Sequence, residues 1–222
     1  MENNNMENNN MENNNMENNN FESSRDKLEH ARQVADYAHA LQTRKGSGEP
    51  YSNHSHAVAE ITSQYTDNTD AVIAAEFHDI LEDVPSDRYS EQQMLDEFGS
   101  DVVELVKMVS ENKRADDPTE APWEVRKQSY IDHLAALENP DALIISAADK
   151  IHNLRSMIGD YQRLGDELWL KFNAPKEKQL WNYEQIFEVL SQKDLPEDLI
   201  SLLSSTLNEF AIIVNGSIEA AA

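Results

Sequence analysis

Apolar residues recur at helical spacing along most of this chain. The first run lies between residues 28 and 41, where apolar side chains stand three or four positions apart, at Leu28, Ala31, Val34, Ala35, Ala38 and Leu41. This spacing places them on one face of an α-helix and leaves the opposite face polar. The pattern therefore predicts an amphipathic helix in this segment.

Later segments repeat this periodicity. The pattern breaks over residues 46–50, which hold two glycines and a proline, and resumes as a helix with Val58 inward. Residues 71–81 are apolar almost all round, which is typical of a buried helix. Asn139 and Pro140 indicate a turn that opens another helix. Further helices are predicted at residues 94–98, 102–109, 123–137, 142–157, 176–190 and 195–214.

The same pattern gives the fold class and the domain. No segment alternates convincingly enough to predict a sheet, although residues 211–214 alone could form a strand. We therefore predict an all-α fold. Four copies of Met-Glu-Asn-Asn-Asn fill residues 1–20, a polar tract that cannot build a core and is predicted to be disordered. Residues 21–222 then form one domain, a single helical bundle.

The composition narrows the classes of ligand. The chain has 18 Lys and Arg residues against 42 Asp and Glu, and its net charge of −24 would repel the phosphate backbone of nucleic acid. A small phosphorylated molecule is compatible, since a bound cation and a few basic side chains can reverse the charge inside one pocket. Because the chain contains no cysteine, a metal must be held by His, Asp, Glu or backbone oxygen.

The sequence also predicts a location. No apolar run approaches the roughly 20 residues that span a bilayer. The N-terminus lacks the basic patch and apolar stretch that mark secretion. We expect a soluble protein of the cytoplasm that binds no membrane. The oligomeric state is left open.

The most informative stretch runs from Phe77 to Asp83, at the end of the buried helix. Its ionisable residues, His78, Asp79, Glu82 and Asp83, are costly in a core unless they are paired or bind a metal. On one continuous helix, positions 78 and 82 would form one ridge and positions 79 and 83 the next. His78 and Asp79 can supply nitrogen and oxygen to one cation. The two acidic residues one turn further on can then act on a water molecule.

Two distant residues complement this stretch. His54 opens the helix after the break, and Asp149 lies in a largely apolar helix. Two imidazoles and two carboxylates suit Mn²⁺, Fe²⁺ or Zn²⁺, with positions left for water and a substrate phosphate. Taken alone, His54 is also compatible with a helix-start or core histidine, and Asp149 with a surface pair to Lys150. The combination favours a catalytic metal site with four ligands, His54, His78, Asp79 and Asp149. Structural roles are assigned to His30, His39, His56, His133 and His152.

Three segments resemble the motifs of the HD phosphohydrolase superfamily. Within it, they are similar to the hydrolase domain of the stringent-response Rel/Spo enzymes and to the small alarmone hydrolases. The first segment spans residues 44–54, the second residues 74–84 and the third residues 148–155. The resemblance covers roughly residues 25–190. Its most specific part is the Glu82-Asp83 pair after the ligand pair.

This resemblance implies an activity and roles for individual residues. The family uses Mn²⁺ to remove pyrophosphate from the ribose 3′ position of guanosine tetra- or pentaphosphate, which gives GDP or GTP. By resemblance, Glu82 and Asp83 would orient and deprotonate the attacking water. Arg44 and Lys45 would meet substrate phosphates, and Asn153 would lie near the nucleotide. Two residues of a late helix, Lys178 and Tyr183, are predicted to line the same pocket, although the tyrosine is also compatible with plain core.

The sequence departs from the family pattern in places. Ser52 and Ser55 stand where isoleucine and proline are usual, and Glu76 stands where an apolar residue is common. Residues 172–183 look more like a branch of single-domain bacterial HD proteins. Two alternatives therefore stay open, an HD hydrolase for another nucleotide or phosphoester and a catalytically silent nucleotide-binding regulator. The complete set of ionisable residues favours an enzyme.

Overall fold

A computed structural model describes residues 23–111 and 122–216 of the protein. Within these ranges the chain forms a bundle of α-helices, and none of them is long and apolar enough to cross a membrane. The predicted all-α fold is confirmed, and the predicted disordered tail lies outside the described residues. The helices are α1 (Ser24–His39), α2 (Ser52–Thr62), α3 (Thr69–Phe77), α4 (Ile80–Asp83), α5 (Glu91–Phe98), α6 (Ser100–Val109), α7 (Trp123–Ala136), α8 (Pro140–Leu164), α9 (Lys176–Leu190) and α10 (Glu197–Asn215), with a 3₁₀ helix (Gly165–Lys171) after α8.

Side-chain caps fix where several helices begin. At α5, Ser90 and Gln93 form a reciprocal capping box, in which each side chain bonds the other residue's backbone. At α8, the Asn139 side chain accepts a hydrogen bond from a backbone N–H of the first turn, and Pro140 occupies the first position. The turn predicted from these two residues is therefore confirmed.

Helix α8 is the centre of the bundle. It packs against α2, α3, α6 and α10, and Ile145, Ala148, Ile151 and Leu154 on it are fully buried. A charged residue within such a helix needs a partner, because desolvation of an unpaired charge is costly. Asp149 lies in this stretch, so the site is built directly against the core.

The predicted single helix over residues 71–81 is wrong at its C-terminal end. Helix α3 ends at Phe77, and Asp79 has a ψ of −5° before α4 begins at Ile80, far from the helical value of about −42°. In a continuous helix, neighbouring side chains point roughly 100° apart. Here Nε2 of His78 and Oδ2 of Asp79 lie only 3.0 Å apart. The break turns both side chains towards one point, so the predicted pair of ridges does not form.

Two further segments were uncertain from the sequence, residues 211–214 and the break between the first two helices. Residues 211–214 belong to α10, so the strand alternative is wrong. Between α1 and α2 the chain folds back on itself, with an isolated bridge between Thr43 and Pro50. The backbone N–H of Arg44 donates to the carbonyl of Glu49 at 2.9 Å. This loop carries the first of the predicted substrate-contacting residues.

Candidate metal centre and its cavity

The four side chains predicted to hold a metal converge between α2, the α3–α4 break and α8. Nε2 of His54 lies 3.1 Å from Nε2 of His78 and 3.2 Å from Oδ1 of Asp149. Oδ2 of Asp79 lies 3.0 Å from Nε2 of His78 and 3.5 Å from Nε2 of His54. Asp79 is partly buried and the other three residues are buried. We call these four residues the donor cluster.

The spacing of the donor cluster fits a divalent cation. Two ligands at right angles, each roughly 2.1 Å from one ion, lie about 3.0 Å apart. The pairs given above are 3.0 to 3.5 Å apart, Nε2 of His78 lies 3.7 Å from Oδ1 of Asp149, and the donor atoms of His54, His78 and Asp149 all lie within 4.8 Å of one another. Two imidazoles and two carboxylates match the preferences of Mn²⁺, Fe²⁺ and Zn²⁺. The positions of His54, His78 and Asp149 therefore fit one divalent metal, and Asp79 borders this group beside the two histidines.

The imidazoles of His54 and His78 both turn Nε2 towards the other members of the donor cluster. Nδ1 of His78 lies 2.7 Å from the carbonyl oxygen of Ala75. Nδ1 of His78 therefore carries a hydrogen, which leaves Nε2 as the nitrogen that faces the other donor atoms. Nδ1 of His54 lies 2.7 Å from Nδ1 of His152. Burial, together with His54 and Arg44, lowers the pKa of His152 to about 3. His152, predicted to be structural, thus contacts the donor cluster as a neutral ring.

The two carboxylates are held by neighbouring side chains. The hydroxyl of Tyr51 donates to Oδ2 of Asp79 at 2.5 Å. Nζ of Lys150 lies 2.5 Å from Oδ2 of Asp149, and Nδ2 of Asn153 donates to Oδ1 of the same carboxylate at 2.5 Å. The side chains of Lys150 and Asp149 are both largely buried. The alternative of a surface pair at Asp149 is therefore wrong.

Burial and mutual charge set the protonation of these groups. Burial disfavours the charged form of His78, but the carboxylates of Asp79 and Asp149 outweigh it and raise the pKa of His78 to about 9. Burial also opposes ionisation of the two carboxyls, but His78 and Lys150 hold the pKa values of Asp79 and Asp149, respectively, well below the ordinary range. Both carboxylates are thus ionised at neutral pH, as metal ligands must be, whereas His78 carries a hydrogen on both ring nitrogens and releases the one on Nε2 when it binds a metal.

A cavity of about 200 Å³ opens on the donor cluster. Its acidic lining exceeds its basic lining, with Asp79, Glu82, Asp83, Glu111 and Asp149 against Lys127 and Lys150. A second cavity of about 570 Å³ adjoins it, since Glu82, Glu111 and Tyr130 line both. The combined space suits a ligand of nucleotide size. The excess of carboxylates attracts a cation and opposes an anionic ligand.

Glu82 and Asp83, which the sequence predicts to act on water, line this cavity from α4. The backbone N–H of Glu111 donates to Oε1 of Glu82. Nε2 of Gln42 donates to the carbonyl of Asp83 at 2.5 Å, and Oε1 of Gln42 accepts a hydrogen bond from Nδ1 of His39 at 2.5 Å. Because α4 has only one turn, its last carbonyls lack partners within the helix. Gln42 satisfies one of them.

The predicted substrate-contacting residues do not all reach the cavity. Asn153 and Tyr183 line it, and Nη2 of Arg44 donates to Oδ1 of Asn153 at 2.7 Å. Lys45 is exposed on the loop beside Arg44. Lys178 stands apart from the cavity lining, because its half-exposed side chain pairs with a glutamate of α7. Two of the five residues therefore line the cavity, Arg44 contacts one of them, and both lysines lie on the surface.

Several residues around the site were not predicted from the sequence. Three such residues each contact a predicted site residue. Tyr51 contacts Asp79, Gln42 contacts Asp83, and His152 contacts His54. For His152, the sequence did contain a usable signal, which is its position relative to Asp149 on α8. His152 follows Asp149 by three residues, so both occupy one face of the helix.

Comparison with known proteins adds a family and relatives. A model of the HD domain matches residues 31–175. The chain is 35% identical over 129 residues to guanosine-3′,5′-bis(diphosphate) 3′-pyrophosphohydrolase of Haemophilus influenzae, which covers 56% of this chain and 18% of that protein. It is 33% identical over 138 residues to the mouse enzyme of the same name, MESH1, which covers 59% of this chain and 69% of that protein. The match thus spans less than a fifth of the bacterial relative and about two thirds of the mouse one.

Two solved structures resemble the fold. The first is described as a metazoan ortholog of SpoT that hydrolyses ppGpp, with a TM-score of 0.67 and 25% identity over 82% of this chain and 94% of that one. The second is a Listeria monocytogenes protein with a TM-score of 0.60 and 23% identity over 73% of this chain and 99% of that one. This second likeness supports the fold alone.

Proposed function

Since this chain belongs to the HD domain family, we propose that it is a divalent-metal-dependent hydrolase of guanosine tetra- or pentaphosphate. Its products are GDP or GTP and pyrophosphate, the metal is Mn²⁺, and the reaction takes place in the cytoplasm. The observation that carries the proposal is the donor cluster, three residues of which (His78, Asp79 and Asp149) line one cavity together with Glu82 and Asp83. The bacterial and mouse relatives named for this activity support the choice of substrate.

The donor cluster is proposed to hold the metal through Nε2 of both histidines and one oxygen of each aspartate. When bound, a divalent cation lowers the pKa of water and offsets the negative charge of the phosphate under attack. Because the cavity lining is acidic, it would repel the anionic substrate unless the positive charge of the metal were present.

Glu82 and Asp83 are proposed to orient and deprotonate the attacking water. The backbone N–H of Glu111 fixes one oxygen of Glu82, and Gln42 fixes the backbone of Asp83. A carboxylate in reach of the water accepts its proton as the water oxygen bonds to phosphorus. The bond from phosphorus to the ribose 3′ oxygen then breaks, and that oxygen takes up a proton.

The loop between α1 and α2 is proposed to meet the substrate phosphates. The Arg44 guanidinium lies 5.5 Å from the centre of the Tyr51 ring and bonds Asn153, so it is directed towards the donor cluster. Lys45 adds a second positive charge at the exposed edge of this loop. Asn153 and Tyr183 are proposed to contact the nucleotide.

Product analysis tests this function. Purified protein is incubated with Mn²⁺ and guanosine tetraphosphate, and products are separated by ion-exchange chromatography beside GTP, GDP and other nucleotides as substrates. Formation of equal amounts of GDP and pyrophosphate from the tetraphosphate alone is the expected result. The Asp79→Ala variant should form neither product. Asp101→Ala, which removes an exposed carboxylate of α6, should behave like the unaltered protein.

The other outcomes separate the alternatives. Cleavage of another nucleotide while the tetraphosphate stays intact would keep the hydrolase and reject its substrate. Binding of the tetraphosphate without cleavage by any divalent metal would favour the silent regulator.

The Gln42 side chain gives a prediction about positioning. Gln42→Met keeps the length of the side chain but removes the donor to the Asp83 carbonyl. We expect kcat to fall by roughly 10–100-fold, because displacing a catalytic group by about 1 Å costs that much. The affinity for Mn²⁺ should be unchanged, since Gln42 contacts α4 and not the donor cluster. Steady-state kinetics and titration calorimetry measure the two quantities.

The matched control is Gln33→Met, at an exposed position of α1. It should leave both quantities unchanged. An unaltered kcat in Gln42→Met, or a parallel loss of metal affinity, would contradict the positioning role.

Gly46 gives a prediction about the phosphate-binding loop. A Cβ at this position would lie 1.6 Å from Oδ2 and 2.4 Å from Cγ of Asp160 on α8. Gly46→Ala must therefore displace the loop or the aspartate, at a cost of about 1–3 kcal/mol. We expect a lower melting temperature and a higher KM, because Arg44 moves with the loop, with a smaller effect on kcat.

The neighbouring glycine of α8 is the matched control. A Cβ at Gly159 meets no atom within 4 Å, so Gly159→Ala should stabilise the protein by up to about 1 kcal/mol through helix propensity. Combining Gly46→Ala with Asp160→Ala should recover most of the KM. A normal KM in Gly46→Ala alone would show that the loop does not position the substrate.

A further inference from the structure

We infer that His152 is a positioning residue that holds His54 in the tautomer required for metal binding. The inference rests on the metal site of the proposed function and assigns a role to a histidine outside the donor cluster. Its basis is the approach of two ring nitrogens, Nδ1 of His54 and Nδ1 of His152, to 2.7 Å.

Such a distance requires one donor and one acceptor. Two N–H groups cannot approach each other this closely, and two lone pairs would repel at the same separation. The pair therefore shares a single hydrogen between the two Nδ1 atoms. The remaining question is which ring carries it.

The proposed role of His54 as a metal ligand decides this question. Its Nε2 faces the donor cluster, 3.1 Å from His78 and 3.2 Å from Asp149. A metal ligand needs a lone pair on that nitrogen, so in a neutral ring the hydrogen must lie on Nδ1. Nδ1 of His54 is then the donor, and Nδ1 of His152 is the acceptor. The hydrogen of His152 consequently lies on its own Nε2.

The two ligand imidazoles are oriented in different ways. His78 donates to a backbone carbonyl, that of Ala75, which no substitution removes. His54 donates to a side chain, so its orientation depends on one replaceable residue. His152 also stands one turn after Asp149 on buried α8, and the ring centroids of His54 and His152 are 4.8 Å apart. The same helix thus supplies one ligand and aligns another.

Two substitutions of His152 distinguish a role as hydrogen-bond acceptor from a role in packing. His152→Leu removes the acceptor and should weaken binding of Mn²⁺ by roughly 10–100-fold, the usual effect of losing a partner of a ligand histidine. His152→Asn can place an amide oxygen near the position of Nδ1, so it should keep an affinity close to that of the unaltered protein. Isothermal titration of metal-free protein measures the affinities, and circular dichroism checks that each variant is folded.

The matched control is His30→Leu, because His30 lies on α1 and bonds Glu97. It should bind Mn²⁺ normally. Normal binding by His152→Leu, or an equal loss in His152→Asn and His152→Leu, would overturn the inference. If the unaltered protein bound no metal, the inference and the metal site would fall together. Metal binding without cleavage of guanosine tetraphosphate would reject only the substrate.

Nuclear magnetic resonance provides a test on the unaltered protein. With ¹⁵N-labelled histidines and diamagnetic Zn²⁺ bound, the long-range couplings report which ring nitrogen carries hydrogen. We expect His54 in the Nδ1–H form and His152 in the Nε2–H form. Hydrogen on Nδ1 of His152 would overturn the inference even if a variant failed to fold.

Discussion

Replacing Asp83 by Asn is expected to lower kcat by roughly 10²–10⁴-fold, the range attributed to a general base. The amide has nearly the shape of the carboxylate but cannot accept the proton of the attacking water. Binding of Mn²⁺ should persist, because Asp83 lies on α4 outside the donor cluster. Single-turnover cleavage of guanosine tetraphosphate and titration calorimetry measure the two effects.

Asp87→Asn is the matched control, since Asp87 is exposed in the turn after α4. It should keep full activity. Glu82→Gln is a useful companion, because the Glu82 carboxylate also accepts a backbone hydrogen bond that the amide oxygen can keep. Turnover by the Asp83 variant at the rate of the unaltered protein would refute its assignment as the base.

Replacing His78 by Ala is expected to abolish both the stabilisation of the protein by Mn²⁺ and its turnover. The substitution removes one ligand nitrogen and the positive partner of two carboxylates. For the unaltered protein, metal at about 100 times its dissociation constant should stabilise the fold by roughly 2.7 kcal/mol. That corresponds to a rise in melting temperature of about 5–10 °C for a chain of this size. The variant should show almost no rise and no measurable turnover.

His30→Ala serves as the control in the same melting experiment and should keep the full rise. The substitution at His78 also opens a cavity in a buried position, so a lower melting temperature without metal is expected and is not diagnostic. The diagnostic quantity is the difference between the melting temperatures measured with and without Mn²⁺. A normal difference in His78→Ala would place the metal elsewhere.

The helices could be predicted because their signal is local. Apolar spacing and caps depend on neighbouring residues, and the Asn139-Pro140 start of α8 was predicted on that basis. The break at His78 and Asp79 was not, since neither Gly nor Pro stands at or beside these positions. It depends on convergence with His54 and Asp149, which is a tertiary effect.

The site could be predicted in part for a similar reason. Buried ionisable groups are costly, and this singled out His78, Asp79 and Asp149, which the structure brings together. Tyr51 and His152 are ordinary residue types, and only their contacts reveal them. Lys178 was placed in the pocket by its position in sequence, but it pairs on the surface instead.

One metal at the donor cluster is proposed to drive the hydrolysis. The most direct test of this proposal is to add Mn²⁺ stepwise to metal-free protein while the formation of GDP from guanosine tetraphosphate is followed. The rate should rise with added metal and level off at about one ion per chain when binding is tight, and the Asp149→Ala variant should stay inactive throughout. Turnover by the metal-free protein, or the same metal response in Asp149→Ala, would contradict the proposal.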